Sequence, residues 1–261
     1  MADPIHQFEV AKVVDLPDFS LPGVGVIDMA ITNSTVAMLA AAGVIVLLMA
    51  LVTAKPAVVP GRLQSVGEML FGMIDNLTDS IIGHEGRKYL PFVFTLFMFI
   101  LAMNMLGLFL IFTATSQLAV TAALGTLTIL LVLIVGFAKH GLGFFKLFVP
   151  GGVPFVILLI VIPIEVVSFL LRPVTLALRL FGNMLGGHVA LKVFAGFVVS
   201  LGTLAAGGGL GFLGIPGAAL ALSGVVALTA LEFLVAFLQA FVFAVLTTIY
   251  LNDVVNLGHG H

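Results

Sequence analysis

Hydrophobic and polar positions divide the 261-residue chain into long uncharged stretches separated by short polar ones. Residues 29–54 form 26 consecutive uncharged positions, and residues 89–138 form 50 without one Asp, Glu, Lys or Arg. About 20 apolar residues cross the hydrocarbon core of a bilayer. The first stretch therefore predicts one transmembrane helix, and the second a transmembrane hairpin turning around residues 113–117. Residues 60–88 read differently. Leu63, Val66, Leu70, Met73, Leu77 and Ile81 recur at a 3.6-residue period, with Glu68, Asp75 and Asp79 between them. This predicts an amphipathic helix along the membrane surface, or against the extramembrane domain of a partner. From 147 onward the chain is again almost wholly apolar. Gly207-Gly208-Gly209 and Gly214-Ile215-Pro216-Gly217 break it into a hairpin, 147–206 and 215–251, with arms running roughly 162–206 and 218–251. Each arm exceeds an upright span, so both are expected to be strongly tilted, bent or partly in the membrane plane. Pro163 and Pro173 are places to begin or kink the first arm, and 149–162 is a candidate separate short helix.

Composition agrees with this division. Hydrophobic residues make up 61% of the chain, charged residues only 8%, and the mean hydropathy is +1.30. Soluble domains carry about a quarter charged residues. A soluble fold of this size could not cover itself with so few polar groups. That excludes a cytosolic enzyme, a disordered chain and a nucleic-acid binder with a basic face. The fold class is an all-α membrane protein, one integral membrane domain over 29–261. There is no Cys, hence no disulfide or thiolate chemistry.

Residues 1–28 hold five acids (Asp3, Glu9, Asp15, Asp18, Asp28) and one base, Lys12, unlike a secretory signal. They read as a polar tail or short interfacial helix outside the bilayer. Lys55, Arg62, Arg87, Lys88, Lys139 and Lys146 fall on one face if 29–54 spans once and 89–138 twice. The positive-inside rule makes that face cytoplasmic, so the N-terminus lies outside and the C-terminus in the cytoplasm.

Ionisable groups at bilayer depth are costly and mark ion paths or paired structural sites. Residues 147–251 contain Glu165, Arg172, Arg179, Lys192 and Glu232. Arg179 sits between Leu178 and Leu180 with no acid within ten residues on either side, and a guanidinium keeps its proton. It is either a fixed cation on an ion path, a snorkelling side chain, or the partner of Glu165 or Glu232. At 100° per residue Glu165, Arg172, Thr175, Arg179 and Asn183 share one stripe of a helix, whereas His188 is turned to another face. Gly182 and Gly186 form a small-xxx-small pair, for close helix packing or for a flat surface that a moving neighbour can pass. Glu232 and Gln239, seven apart, share a face of the second arm. Two polar approaches with a cation between them are what a gated proton path requires, because a continuous water wire would leak. Elsewhere Lys192 reads as snorkelling, Asn104 as a helix–helix hydrogen bond, and Arg172 as either an anchor or a functional contact. His84 and His140 read as surface loop residues, and His259 and His261 as a frayed terminus rather than a weak metal site. No phosphate loop, cofactor site or metal site is expected.

The run Leu176-Ala177-Leu178-Arg179-Leu180-Phe181-Gly182-Asn183-Met184-Leu185-Gly186-Gly187-His188 resembles the signature of subunit a of the rotary F-type ATP synthase. So do Leu238-Gln239-Ala240-Phe241-Val242-Phe243, Leu246-Thr247-Thr248-Ile249-Tyr250-Leu251, Asn104-Met105-Leu106-Gly107-Leu108, and Pro163-Ile164-Glu165 with Ser168, Arg172 and Pro173. The resemblance covers most of the chain from Pro60 onward. It implies a proton-translocating stator subunit, not catalytic by itself, in a bacterial inner membrane. Its implied partners are a ring of c subunits opposite Arg179, peripheral-stalk b-type subunits and the rest of the complex. It implies that Arg179 is the stator arginine, that His188 and Glu232 line the outer proton half-channel as one adjacent pair, and that Asn183 and Gln239 are polar residues near the arginine. Glu165, with Ser168 and Thr175, corresponds to the side leading to the cytoplasm. Some relatives carry an acid where Gly107 stands. Many carry a polar group before the position of Thr121, where this chain has Gln117-Leu118-Ala119-Val120, so Thr113, Thr115, Ser116 and Gln117 are the candidates for that lining.

Two other functions compete. A self-contained proton-coupled antiporter or transporter shows two related halves, whereas here only the second half carries deep charge. A non-transporting scaffold leaves Arg179 without a role. A stator subunit copurifies with a c ring and soluble catalytic subunits; an antiporter transports when reconstituted alone.

Overall fold

The computed structural model describes residues 11–15, 19–21, 25–27, 30–54, 56–109, 112–149, 154–206 and 214–257. The chain is an all-α membrane protein. Among the described residues six α-helices follow one another: α1 (Asn33–Thr53), α2 (Arg62–Ile82), α3 (Leu90–Phe109), α4 (Leu118–His140), α5 (Phe155–Ala206) and α6 (Gly214–Val255). All but α2 are long and apolar enough to cross a membrane. Helix α1, with 21 residues, measures about 32 Å, close to the ~30 Å hydrocarbon core. Helices α5 and α6, with 52 and 42 residues, measure about 78 and 63 Å along their axes, too long to cross upright.

Three expectations need correction, the first two in α5 and at the N-terminus. Helix α5 is not divided into a short helix and a long arm: from Phe155 it runs through both Pro163 and Pro173. Each proline removes one backbone hydrogen bond. Membrane helices tolerate this because neighbouring helices and Ser/Thr side chains re-satisfy the freed groups. At the N-terminus, the described residues form strands rather than a tail or helix. β1 (Lys12–Asp15) pairs antiparallel with β4 (Ala30–Thr32), and β2 (Phe19–Leu21) with β3 (Gly25–Ile27). The β-branched Val13-Val14 and Ile31-Thr32 favour extended backbone. The remainder of 1–28, the glycine break at 207–209, and His259 and His261 lie outside the described residues.

The chain divides into two compact units. Unit 1 comprises Met1–Ala41, Met103–Gln117 and Phe181–Leu238; unit 2 comprises Ala42–Ala102, Leu118–Leu180 and Gln239–His261. In unit 1 the end of α3 packs on α6, where the amide of Asn104 donates to the carbonyl of Ala236 at 3.1 Å, the helix–helix bond its position predicted. A 3-10 turn at Ala114–Ser116 follows α3. A Cβ on Gly214 would lie 2.6 Å from the carbonyl oxygen of Leu201, so glycine lets the start of α6 approach α5 closely.

In unit 2 the core is aromatic. A 3-10 segment, Gly141–Phe148, inserts Phe144 against Phe137 (ring centroids 4.7 Å apart) and Phe169 (6.1 Å). A Cβ on Gly136 would meet the Phe144 ring at 2.5 Å, so this glycine makes the ring's seat. Helix α2 packs through Gly67, Ile74, Thr78 and Ile82. At 100° per residue these centre about 90° around the helix from the apolar stripe of the sequence. That stripe remains exposed at Leu63 and Val66 and half-buried from Leu70 to Ile81. His140 is not a surface loop residue: its Nε2 lies 2.9 Å from the carbonyl oxygen of Val254, joining the end of α4 to the end of α6. His84 is exposed, as expected, and its neighbour Glu85 pairs with Lys139.

Candidate functional site

Unit 1 brings three of its elements to one point. Helix α5 supplies His188, the turn after α3 supplies Thr113, and α6 supplies Glu232. His188 Nε2 lies 2.9 Å from Thr113 Oγ1, and His188 Nδ1 lies 4.0 Å from Glu232 Oε2. The imidazole and carboxylate side chains are only 11% and 10% exposed. Among the described residues both carboxylate oxygens of Glu232 are buried and make no hydrogen bond, and the acid lies within ion-pair range of the ring. Burying a carboxylate without hydrogen bonds is costly. Such a group is characteristic of a site that handles a proton or a charge.

Two glycines shape this arrangement. A Cβ on Gly187 would stand 2.7 Å from Glu232 Oε1 and 3.2 Å from its Cδ. A Cβ on Gly107 would stand 2.4 Å from Thr113 Cγ2 and 2.7 Å from its Oγ1. Of the four lining candidates, Thr113 touches His188; Ser116 donates its hydroxyl to the Thr113 carbonyl at 2.6 Å, closing the turn. Lys192, one turn beyond His188, lies within electrostatic range of the imidazole. On the same helix Gly182, Asn183 and Gly186 are exposed, and a Cβ on either glycine would meet no atom within 4 Å. Their small size is not used for packing among the described residues.

Unit 2 gathers a second set. Arg172 Nη1 donates to Asp253 Oδ2 at 2.8 Å, and Nη2 lies 3.8 Å from Glu165 Oε1. The guanidinium is flanked by the rings of Tyr250 (4.7 Å) and Phe169 (5.3 Å). Arg172, Ser168, Thr175 and Tyr250 line an open cleft of about 560 Å³ together with Ile164, Val167 and Leu171. Ser168 and Thr175 are exposed, and the Thr175 hydroxyl donates to the Arg172 carbonyl at 2.9 Å. Gln239 is buried, at 5% exposure.

Arg179, also in unit 2, behaves unlike Arg172. Its side chain is exposed, and among the described residues it has no hydrogen bond or ion pair. The pairing with Glu165 that its sequence position left open is not formed: Glu165 stands with Arg172. Tyr250 lies within electrostatic range of both arginines and of Asp253.

The sequence pattern of the family described as ATP synthase A chain matches residues 35–252. The chain belongs to the ATP synthase A chain family. It is 53% identical over 260 residues to ATP synthase subunit a of Rhodopseudomonas palustris, covering 99% of this chain and 100% of that protein. It is 50% identical over 258 residues to ATP synthase subunit a of Mesorhizobium japonicum, covering 98% of each. With ATP synthase subunit a of Rhizobium leguminosarum bv. trifolii it shares 51% over 260 residues, 99% of each chain. The similarity of this ATP synthase A chain family member to its relatives thus extends upstream of Pro60, through α1 and the N-terminal strands.

Sequence reasoning missed Gly187, Tyr250 and Asp253 as site residues. Tyr250 and Asp253 are three apart on α6, on one helical face, and Asp253 is the acid nearest in sequence to the Leu246–Leu251 block. Asking which acid balances Arg172 would have found it. Gly187 carried no such signal, because its role is the space it leaves for a side chain 45 residues away, Glu232.

Proposed function

We propose that this ATP synthase A chain family member is the proton-conducting stator subunit of an ATP synthase membrane sector, with His188 and Glu232 on the outer half-channel and Glu165, Ser168 and Thr175 on the inner one. The exposed, uncompensated Arg179 carries this reading. Its counter-charge is a carboxylate on a facing ring of c subunits. The open surface over Gly182 and Gly186 supports a neighbour that slides past rather than locks in. The reading keeps Lys55, Arg62, Arg87, Lys88, Lys139 and Lys146 on the cytoplasmic face, as the positive-inside rule directs. Peripheral-stalk b-type subunits are the further membrane partners of this reading, and α1, buried only at Ser34 and Ala41, has surface for them or for lipid.

The cycle follows from charge and dielectric. A proton passes from outside by way of His188 and Glu232 to a rotor carboxylate. Neutral, that carboxyl crosses lipid, where its charged form would cost at least about 2.5–3.5 kcal/mol. The ring turns until the group meets the inner approach near Glu165, Ser168 and Thr175, with Gln239 and Asn183 as polar neighbours of the arginine. There it gives up its proton, because a nearby cation lowers a carboxyl pKa by roughly 1–3 units. Arg179 attracts the carboxylate and repels any proton moving directly between the channels. Each proton supplies about 2.3 kcal/mol per 100 mV of membrane potential. Asymmetric placement of the two channels sets the direction of rotation. This subunit contributes no nucleotide chemistry of its own.

Arg179→Ala in the assembled complex tests the reading. The variant should copurify with ring and catalytic subunits yet make no ATP from a proton gradient. Normal coupled synthesis by that variant, or proton exchange by the wild-type chain reconstituted alone, would overturn it.

A further inference from the structure

We infer that Thr113 is a positioning residue that fixes the tautomer of His188, holding the ring as its Nε2–H form and presenting Nδ1 to Glu232 as the site where the travelling proton is taken up and released. This rests on the reading of His188 and Glu232 as the outer path. The argument begins at the end of α3. The last four carbonyls of a helix have no intrahelical donor. Helix α3 ends at Phe109, so the Gly107 carbonyl is one of them. The Thr113 hydroxyl donates to it at 3.1 Å. A threonine hydroxyl has one proton to give and can accept through its lone pairs. With that proton committed to Gly107, the 2.9 Å contact with His188 Nε2 requires the ring to be the donor. A neutral imidazole carries one N–H, so Nδ1 is then the bare nitrogen.

The surroundings hold Thr113 in this role. The residue is 3% exposed, its carbonyl accepts from Ser116 at 2.6 Å, and Gly107 alone leaves space for its methyl and hydroxyl. Nδ1 faces Glu232 Oε2 at 4.0 Å, and neither carboxylate oxygen has a hydrogen bond to hold it back. About 1 Å of side-chain movement brings the pair to hydrogen-bond distance. A proton arriving on Nδ1 gives an imidazolium beside a carboxylate. Its transfer to Glu232 leaves a neutral imidazole and a carboxylic acid, with the Nε2 proton untouched throughout. The other tautomer would set an N–H against the site where the proton must land.

Two measurements on the assembled complex in membranes decide this. Solid-state NMR of ¹⁵N-histidine-labelled complex, with His188 assigned by difference from His188→Asn, should show a protonated Nε2 and a bare Nδ1 in the neutral ring. A neutral ring protonated at Nδ1 would overturn the inference, even if no Thr113 variant assembles. Thr113→Val keeps the shape and loses the hydroxyl; it should give a mixture of tautomers and slow ATP-driven proton pumping about ten-fold or more. Thr113→Ser should restore both. Unchanged tautomer and pumping in Thr113→Val, or no rescue by serine, would also overturn it. Failure of the parent reading looks different: His188→Ala and Glu232→Ala would both pump normally while the ring of the wild type still carried its Nε2 proton.

Discussion

Gly187→Ala tests how closely the outer acid is built against the backbone of α5. The added Cβ would stand 2.7 Å from Glu232 Oε1, 3.2 Å from Cδ and 3.3 Å from Cγ, where ordinary contacts begin at 3.4 Å. The carboxylate must therefore withdraw by at least 3.4 − 2.7 = 0.7 Å. Overpacking costs typically about 1–3 kcal/mol. Exchanging glycine for alanine within a helix returns about 1 kcal/mol. The expected loss of stability is thus about 0–2 kcal/mol, and the complex should assemble. Function should suffer more, because a shift of this size in a proton-transfer group, already 4.0 Å from the imidazole, can cost up to about a hundred-fold in rate. The assay is ATP-driven acidification of inverted membrane vesicles, normalised to assembled complex. We expect at least a ten-fold loss. Gly187→Ala combined with Glu232→Asp, which shortens the acid by one methylene, should recover part of it. Normal pumping in Gly187→Ala, or a double variant slower than both single variants, would refute the reasoning.

Arg172→Met should remove the anchor shared by Asp253 and Glu165 and lower thermal stability in detergent by about 1–3 kcal/mol, with Asp253→Asn milder, because hydrogen bonds to charged groups carry that range and both acids are partly exposed; equal stability of Arg172→Met and wild type would contradict this. Asn104→Leu, which loses one inter-helix bond to Ala236, should cost no more than about 1.7 kcal/mol and leave proton pumping unchanged; a pumping defect would move Asn104 into the proton path. Lys139→Ala should change stability by less than about 1 kcal/mol, since its pair with Glu85 is solvent-exposed.

The spans of this chain were legible because the bilayer is a demanding solvent. Every backbone group must be paired and every charge accounted for, so a long uncharged stretch such as 89–138 reads as membrane-spanning helices joined by a turn. Arg179, His188 and Glu232 were legible for the same reason: charge stands out where nearly nothing else is polar. What escaped is what depends on shape. The packing edge of α2 runs through Gly67 and Thr78, with Ile74 and Ile82, rather than along the apolar stripe of the sequence. Pro163 and Pro173 read as places to begin or kink the first arm, and α5 does not begin at either but continues through both. At Pro173 the neighbouring α4 comes so close that a Cβ on Gly125 would lie 2.7 Å from the proline carbonyl. The ion pair of Arg172 with Asp253 joins residues 81 apart, and no periodicity within one helix could have linked them.

Arg179 is the residue on which the account turns. The most direct measurement is the position of its guanidinium in a high-resolution structure of the whole membrane sector. The account predicts that group within about 4–6 Å of a carboxylate on a neighbouring polypeptide at mid-membrane depth, the range over which a cation shifts an acid's ionisation. A guanidinium directed at lipid headgroups, with no acid of another chain nearby, would contradict it.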